Sequence, residues 1–143
     1  MSMYDLFKTE PVLETEGVVL NYGTFKVTIA RAGGMNKRYV KVLEAKVRPF
    51  RRALQTETLD SEVGLDILRE AYAEAIILKW ETQQNGKFVI GIESPDNEIL
   101  PFTKENVILT LKNLPDLFTD IQDQASKIAT FRQDEKEKAA GNS

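Results

Sequence analysis

Residues 31–54 read Arg31-Ala32-Gly33-Gly34-Met35-Asn36-Lys37-Arg38-Tyr39-Val40-Lys41-Val42-Leu43-Glu44-Ala45-Lys46-Val47-Arg48-Pro49-Phe50-Arg51-Arg52-Ala53-Leu54, and the fold class turns on what lies either side of them. Gly33 and Gly34 tolerate positive φ and stop whatever precedes them. Asn36 is a favourable N-cap, and beyond it Tyr39, Val42, Leu43, Val47, Phe50 and Leu54 recur at helical spacing. Pro49 removes a backbone donor and crowds the preceding turn, which predicts a break near Arg48 and a short restart over 50–55. The segment is therefore the junction between a strand and a helix.

Upstream, Gly17-Val18-Val19-Leu20-Asn21 and Thr24 to Ala30 flank a Tyr22-Gly23 turn, and Phe25, Val27 and Ile29 alternate with polar neighbours. That period of two predicts a β-hairpin, whose apolar face needs helices to cover it. Residues 1–16 show no sustained period and read as an N-terminal arm, lying on the domain through Leu6 and Phe7.

Downstream, Thr58 or Asp60 can cap a helix from Ser61 to about Trp80, whose wide apolar stripe marks it as the central core helix. Lys87 to Glu93 reads as a strand, and Glu98 to Pro101 pairs as a second short one across Ser94-Pro95-Asp96-Asn97. Thr103 caps a helix through Lys112, and Pro115 opens an amphipathic helix to about Asp134. The fold class expected is α+β, predominantly helical: an N-terminal hairpin plus a second short β-ribbon packed on about four helices. One globular domain spans 17–132, and 133–143, charged and then small and polar, reads as a disordered tail.

Composition narrows function by exclusion. The 143 residues contain no cysteine and no histidine, at a net charge of -3. Disulfides, thiolate nucleophiles, imidazole bases and Ser-His-Asp triads are thereby removed. No catalytic residue, metal ligand or cofactor is expected. The start lacks a basic segment followed by an apolar run, and no stretch approaches the roughly 20 apolar residues of a membrane span, so a cytoplasmic protein is expected.

Two charge clusters invite a functional reading. Asp116, Asp120 and Asp123 sit near one side of the last helix, where a divalent cation could be held; Asp is equally at home in a first helical turn facing solvent, and that reading is favoured. The basic cluster is the stronger candidate: Lys37, Arg38, Lys41, Arg48, Arg51 and Arg52, with Tyr39 and Phe50 as the nearby aromatics. Its readings rank as a solvated face, then an acidic protein partner, then nucleic acid, because the aromatics fit the apolar stripe and make poor stacking platforms. An apolar groove could form from Tyr39, Leu43, Val47 and Phe50 opposite Phe118 and Ile121, although burial of all six in the chain's own core is favoured. The acidic C-terminal half and the basic helix also permit head-to-tail self-association.

Two strings carry more than composition does. Residues 17–60, with Ala30-Arg31-Ala32-Gly33-Gly34-Met35-Asn36-Lys37 at their centre, form the first. Leu114-Pro115-Asp116-Leu117-Phe118-Thr119-Asp120-Ile121-Gln122-Asp123-Gln124-Ala125, preceded by Pro101-Phe102-Thr103-Lys104-Glu105-Asn106, is the second. Together they resemble the tail assembly chaperones of long-tailed bacteriophages and prophages. The resemblance implies a non-enzymatic, largely helical protein of the bacterial host cytoplasm. It also implies binding of the tape-measure protein, with the tail tube protein as a further partner, and absence from the finished virion. The alternatives are a minor tail or head–tail connector protein that stays in the particle, or a nucleic-acid-binding module.

Overall fold

The computed structural model describes residues 2–127 and 129–132. Its centre is a four-stranded antiparallel sheet in the order β1-β2-β3-β4, made of β1 (Val18–Asn21), β2 (Phe25–Ile29), β3 (Ile77–Gln84) and β4 (Lys87–Ile90). Inserted between β2 and β3 are α3 (Lys37–Val47), a 3-10 turn (Arg48–Phe50), α4 (Arg51–Gln55) and α5 (Ser61–Ala75). A separate ribbon pairs β5 (Ile92–Glu93) with β6 (Ile99–Leu100), and α6 (Lys104–Asn113) and α7 (Pro115–Ser126) follow. Two short helices, α1 (Met3–Phe7) and α2 (Pro11–Glu16), precede the sheet. The class is α+β and helix-rich.

The expected helix from Ser61 to Trp80 stops at Ala75, and Ile77–Gln84 is instead the strand that completes the hairpin's sheet. The apolar run through Ile76, Ile77 and Leu78 fits either period, and its β-branched pair loses side-chain freedom in a helix. Tertiary pairing decides: β2 alone would leave one edge of N–H and C=O groups unmet, and β3 takes it, with Val27 opposite Trp80 and Ile29 opposite Ile77. The register slips between Thr28 and Ile29, where Ala30 N–H donates instead to Ile76 O at 2.8 Å.

Asn85 and Gly86, both at positive φ, turn β3 into β4, so Lys87–Ile90 joins the main sheet and only Ile92–Glu93 reaches the ribbon. Gly91 separates the two, with φ at 151°; a Cβ there would lie 2.8 Å from Leu100 O. No larger residue fits that approach.

The core is shared by sheet and helices. Val27, Ile29, Ile77 and Trp80 meet Tyr72, Ile76, Val107, Leu111, Phe118, Ile121 and Phe131. Asp60 caps α5 by accepting from Glu62 N–H at 2.8 Å, and Thr103 caps α6 by accepting from Asn106 N–H at 3.2 Å. The final helix ends at Ser126 rather than near Asp134, because Lys127 is extended; a 3-10 turn over Ala129–Phe131 then returns Phe131 to the core. The expectation for 133–143 lies outside the described residues.

The arm docks differently from expectation. Leu6 and Phe7 are exposed, and Leu13 and Glu14 on α2 are the residues that sink into the body. Leu13 lies four positions before Gly17, which fixes α2 against the start of β1. No helix among the described residues is long and apolar enough to cross a membrane.

Candidate partner-binding face

The strand-to-helix junction is held by a buried carboxylate. Glu14, 1% exposed, accepts from Thr9 hydroxyl at 2.8 Å, from Met35 N–H at 3.1 Å and from the Arg31 guanidinium. Burial opposes its charge, and these donors outweigh the opposition, holding the carboxyl below the ordinary glutamate range. Gly34 sits at φ 53°, a conformation other residues rarely adopt, and a Cβ there would lie 2.7 Å from Glu14 Oε1 and push on the carboxylate.

Asn36 stands at the N-cap of α3 but does not cap it. Its buried side-chain amide donates to Arg31 O at 2.9 Å and Ala75 O at 3.1 Å, tying the junction to the end of α5. The first turn of α3 therefore has neither a capping side chain nor an acid, and begins with Lys37 and Arg38. The helix dipole and these two cations add in the same sense, so this end is strongly electropositive.

The inner side of α3 is fixed by packing and one ion pair. Tyr39, half-buried, lies edge-on to Tyr72 at 5.6 Å between ring centroids, and Tyr72 lies edge-on to Phe118 at 5.3 Å. Burial pushes both tyrosine hydroxyls upward in pKa. Lys46 reaches Glu74 at 2.9 Å and Glu70 at 3.3 Å, and Lys104 of α6 also pairs with Glu74. These contacts raise the Lys46 pKa, and Lys104 and Lys46 lower that of Glu74.

Every other cation of α3, the 3-10 turn and α4 faces out. Lys37, Arg38, Lys41, Arg48, Arg51 and Arg52 are exposed, and none forms an ion pair with a described acid. Val40, Phe50 and Leu54 are exposed among them. The break at Pro49 is as expected, with α3 ending at Val47 and α4 starting at Arg51, so the cations run over two helical pieces. Seven of the eight residues singled out in the sequence are thus exposed along α3, the 3-10 turn and α4, and Tyr39 is half-buried against Tyr72. Phe118 and Ile121 are core residues, 3% and 0% exposed, in line with the favoured reading, so no second groove wall forms from them; Phe50, expected in the core, is exposed instead.

The aspartates of α7 do not converge. Asp120 accepts from the Tyr22 hydroxyl at 2.6 Å, pinning the β1–β2 turn to α7, while Asp116 and Asp123 are exposed. No group of three or more acids that could hold a metal occurs among the described residues. Sequence reasoning missed the Glu14 junction and the Tyr22–Asp120 bond, whose partners are 17 and 98 residues apart.

The family model described as YdaY prophage protein matches residues 34–142, from Gly34 through both helical pieces of the basic face and onward. No curated protein and no solved structure matches the chain. The chain belongs to the YdaY prophage protein family.

Proposed function

We propose that this member of the YdaY prophage protein family is a non-enzymatic tail assembly chaperone that holds the tape-measure protein in the host cytoplasm during tail morphogenesis. The observation that carries this reading is the outer face of α3 and α4. Its six exposed cations border Val40, Phe50 and Leu54, in contrast to Lys46, which the body neutralises. A helix that is amphipathic and carries acids along its borders would bury its apolar ridge on Phe50 and Leu54 and set its charges against the arginines. Prophage family membership and the two resembling strings support a role in phage assembly. The lack of histidine and cysteine supports binding over turnover.

Co-expression with the tape-measure protein of the same prophage tests the reading. The expected result is a soluble complex with the unaltered chain, and loss of copurification with Arg51→Glu/Arg52→Glu. A tape-measure protein that neither gains solubility nor copurifies would refute it. Detection of the chain in purified virions would favour the connector or minor tail reading instead.

A further inference from the structure

The N-terminal helix α1 is built but unpartnered. Ser2 and Asp5 close a reciprocal capping box, Ser2 Oγ accepting from Asp5 N–H at 3.2 Å and Asp5 Oδ2 from Ser2 N–H at 3.1 Å. Yet no residue of this five-residue helix is buried. Met3, Leu6 and Phe7 fall at spacings of three and four and form one ridge, with Phe7 64% exposed. A helix this short is marginal in water without packing.

Its chemistry complements the face described above. The arm carries Asp5, Glu10 and Glu16 against Lys8, with Glu14 neutralised by Arg31, whereas the outer side of α3 and α4 carries six cations against Glu44. The ridge of Met3 and Phe7 matches that of Phe50 and Leu54, each pair spaced by four residues. The arm does not fold onto its own copy of this face. Glu10 N–H donates to Phe131 O at 2.9 Å, and only residues 8–10 separate α1 from α2, so α1 leaves the body beside Phe131.

We infer that α1 of one copy docks on the α3–α4 face of a second copy, Met3 and Phe7 seating beside Phe50 and Leu54 with Asp5 against Arg51 and Arg52. Donor and acceptor surfaces are different patches, so the contact is heterologous and propagates head to tail into a ring or an open chain. The acid of this contact is Asp5 of the arm; on α7, Asp120 is committed to Tyr22, while Asp116 and Asp123 are exposed. The contact uses the same face as the tape-measure reading, so α1 and a tape-measure helix exclude one another there; sedimentation of the chain alone tests the contact apart from that reading.

Sedimentation velocity of the purified full-length chain tests it. At low salt the sedimentation coefficient should rise with protein concentration, and added salt should reverse the rise. Met3→Ser/Phe7→Ser, which alters only exposed side chains, and Arg51→Glu/Arg52→Glu should each sediment as a monomer with unchanged circular dichroism. Mixed in equal amounts, the two variants should form a one-to-one complex that grows no further, since the first retains an intact face and the second an intact arm. A monomeric unaltered chain at high concentration and low salt would overturn the inference. So would association that survives either pair of substitutions, or a mixture that stays monomeric.

Discussion

Replacing Glu14 by Gln removes the charge at the point where arm, turn and basic helix meet. The Gln side chain keeps the shape and one carbonyl acceptor, but Arg31 loses its counter-charge and one of Thr9 and Met35 loses its acceptor. Removing one partner of a fully buried pair costs about 3–5 kcal/mol. The Arg31 side chain retains 21% exposure, so solvent recovers part of the loss, and a destabilisation of about 2–3 kcal/mol is expected at pH 7. For a chain of this size that lowers Tm by about 6–9 °C, read by calorimetry or by circular dichroism. The pH dependence gives an independent reading. The folded pKa of Glu14 lies below its ordinary value, so its contribution is complete above the unfolded carboxylate pKa and is lost as pH falls through the folded one. The gap between the two proteins should therefore be widest near neutrality and close in acid. Equal Tm values at pH 7, or a gap that stays constant down to acid pH, would refute the assignment of Glu14 as an ionised latch.

Tyr22→Phe deletes the donor to Asp120 and should cost about 1.5–3 kcal/mol in urea unfolding, as expected for a hydrogen bond to a charged group, with the midpoint reduced and the slope unchanged. Ile121→Ala, at a site with no exposure, should cost about 2–5 kcal/mol and confirm that α7 faces the core rather than a groove; a change below 1 kcal/mol would contradict that. Arg51→Glu/Arg52→Glu should leave thermal stability within about 0.5 kcal/mol of the unaltered chain, because neither side chain packs or pairs among the described residues.

The sequence was most legible where local chemistry decides. The β1–β2 hairpin, the Pro49 break, and the caps at Asp60 and Thr103 all follow from residues within a few positions of one another. Legibility failed where one segment suited two periods. Ile76 to Trp80 continues a helical stripe and also alternates as a strand, and only the free edge of β2, some fifty residues earlier, resolves the choice. The same limit applies to the face. Its cations were readable from spacing, since Lys37, Lys41 and Arg48 share one side of a helix. That Tyr39 lies inward agrees with its place in the apolar stripe, whereas that Asn36 abandons its cap depends on the carbonyl of Ala75, thirty-nine residues away. Charged residues in an arm give no sign that one of them, Glu14, will be buried, because the arginine that neutralises it lies beyond an entire hairpin.

The claim that the α3–α4 face is where a macromolecular partner is held is tested most directly by amine cross-linking and mass spectrometry of the chain bound to the tape-measure protein. Lys37 and Lys41 on the face, and Lys87 and Lys112 on β4 and α6, are all exposed and serve as mutual controls. The account predicts inter-protein cross-links concentrated at Lys37 and Lys41. Cross-links concentrated at Lys87 or Lys112, with Lys37 and Lys41 still freely modified in the complex, would contradict it.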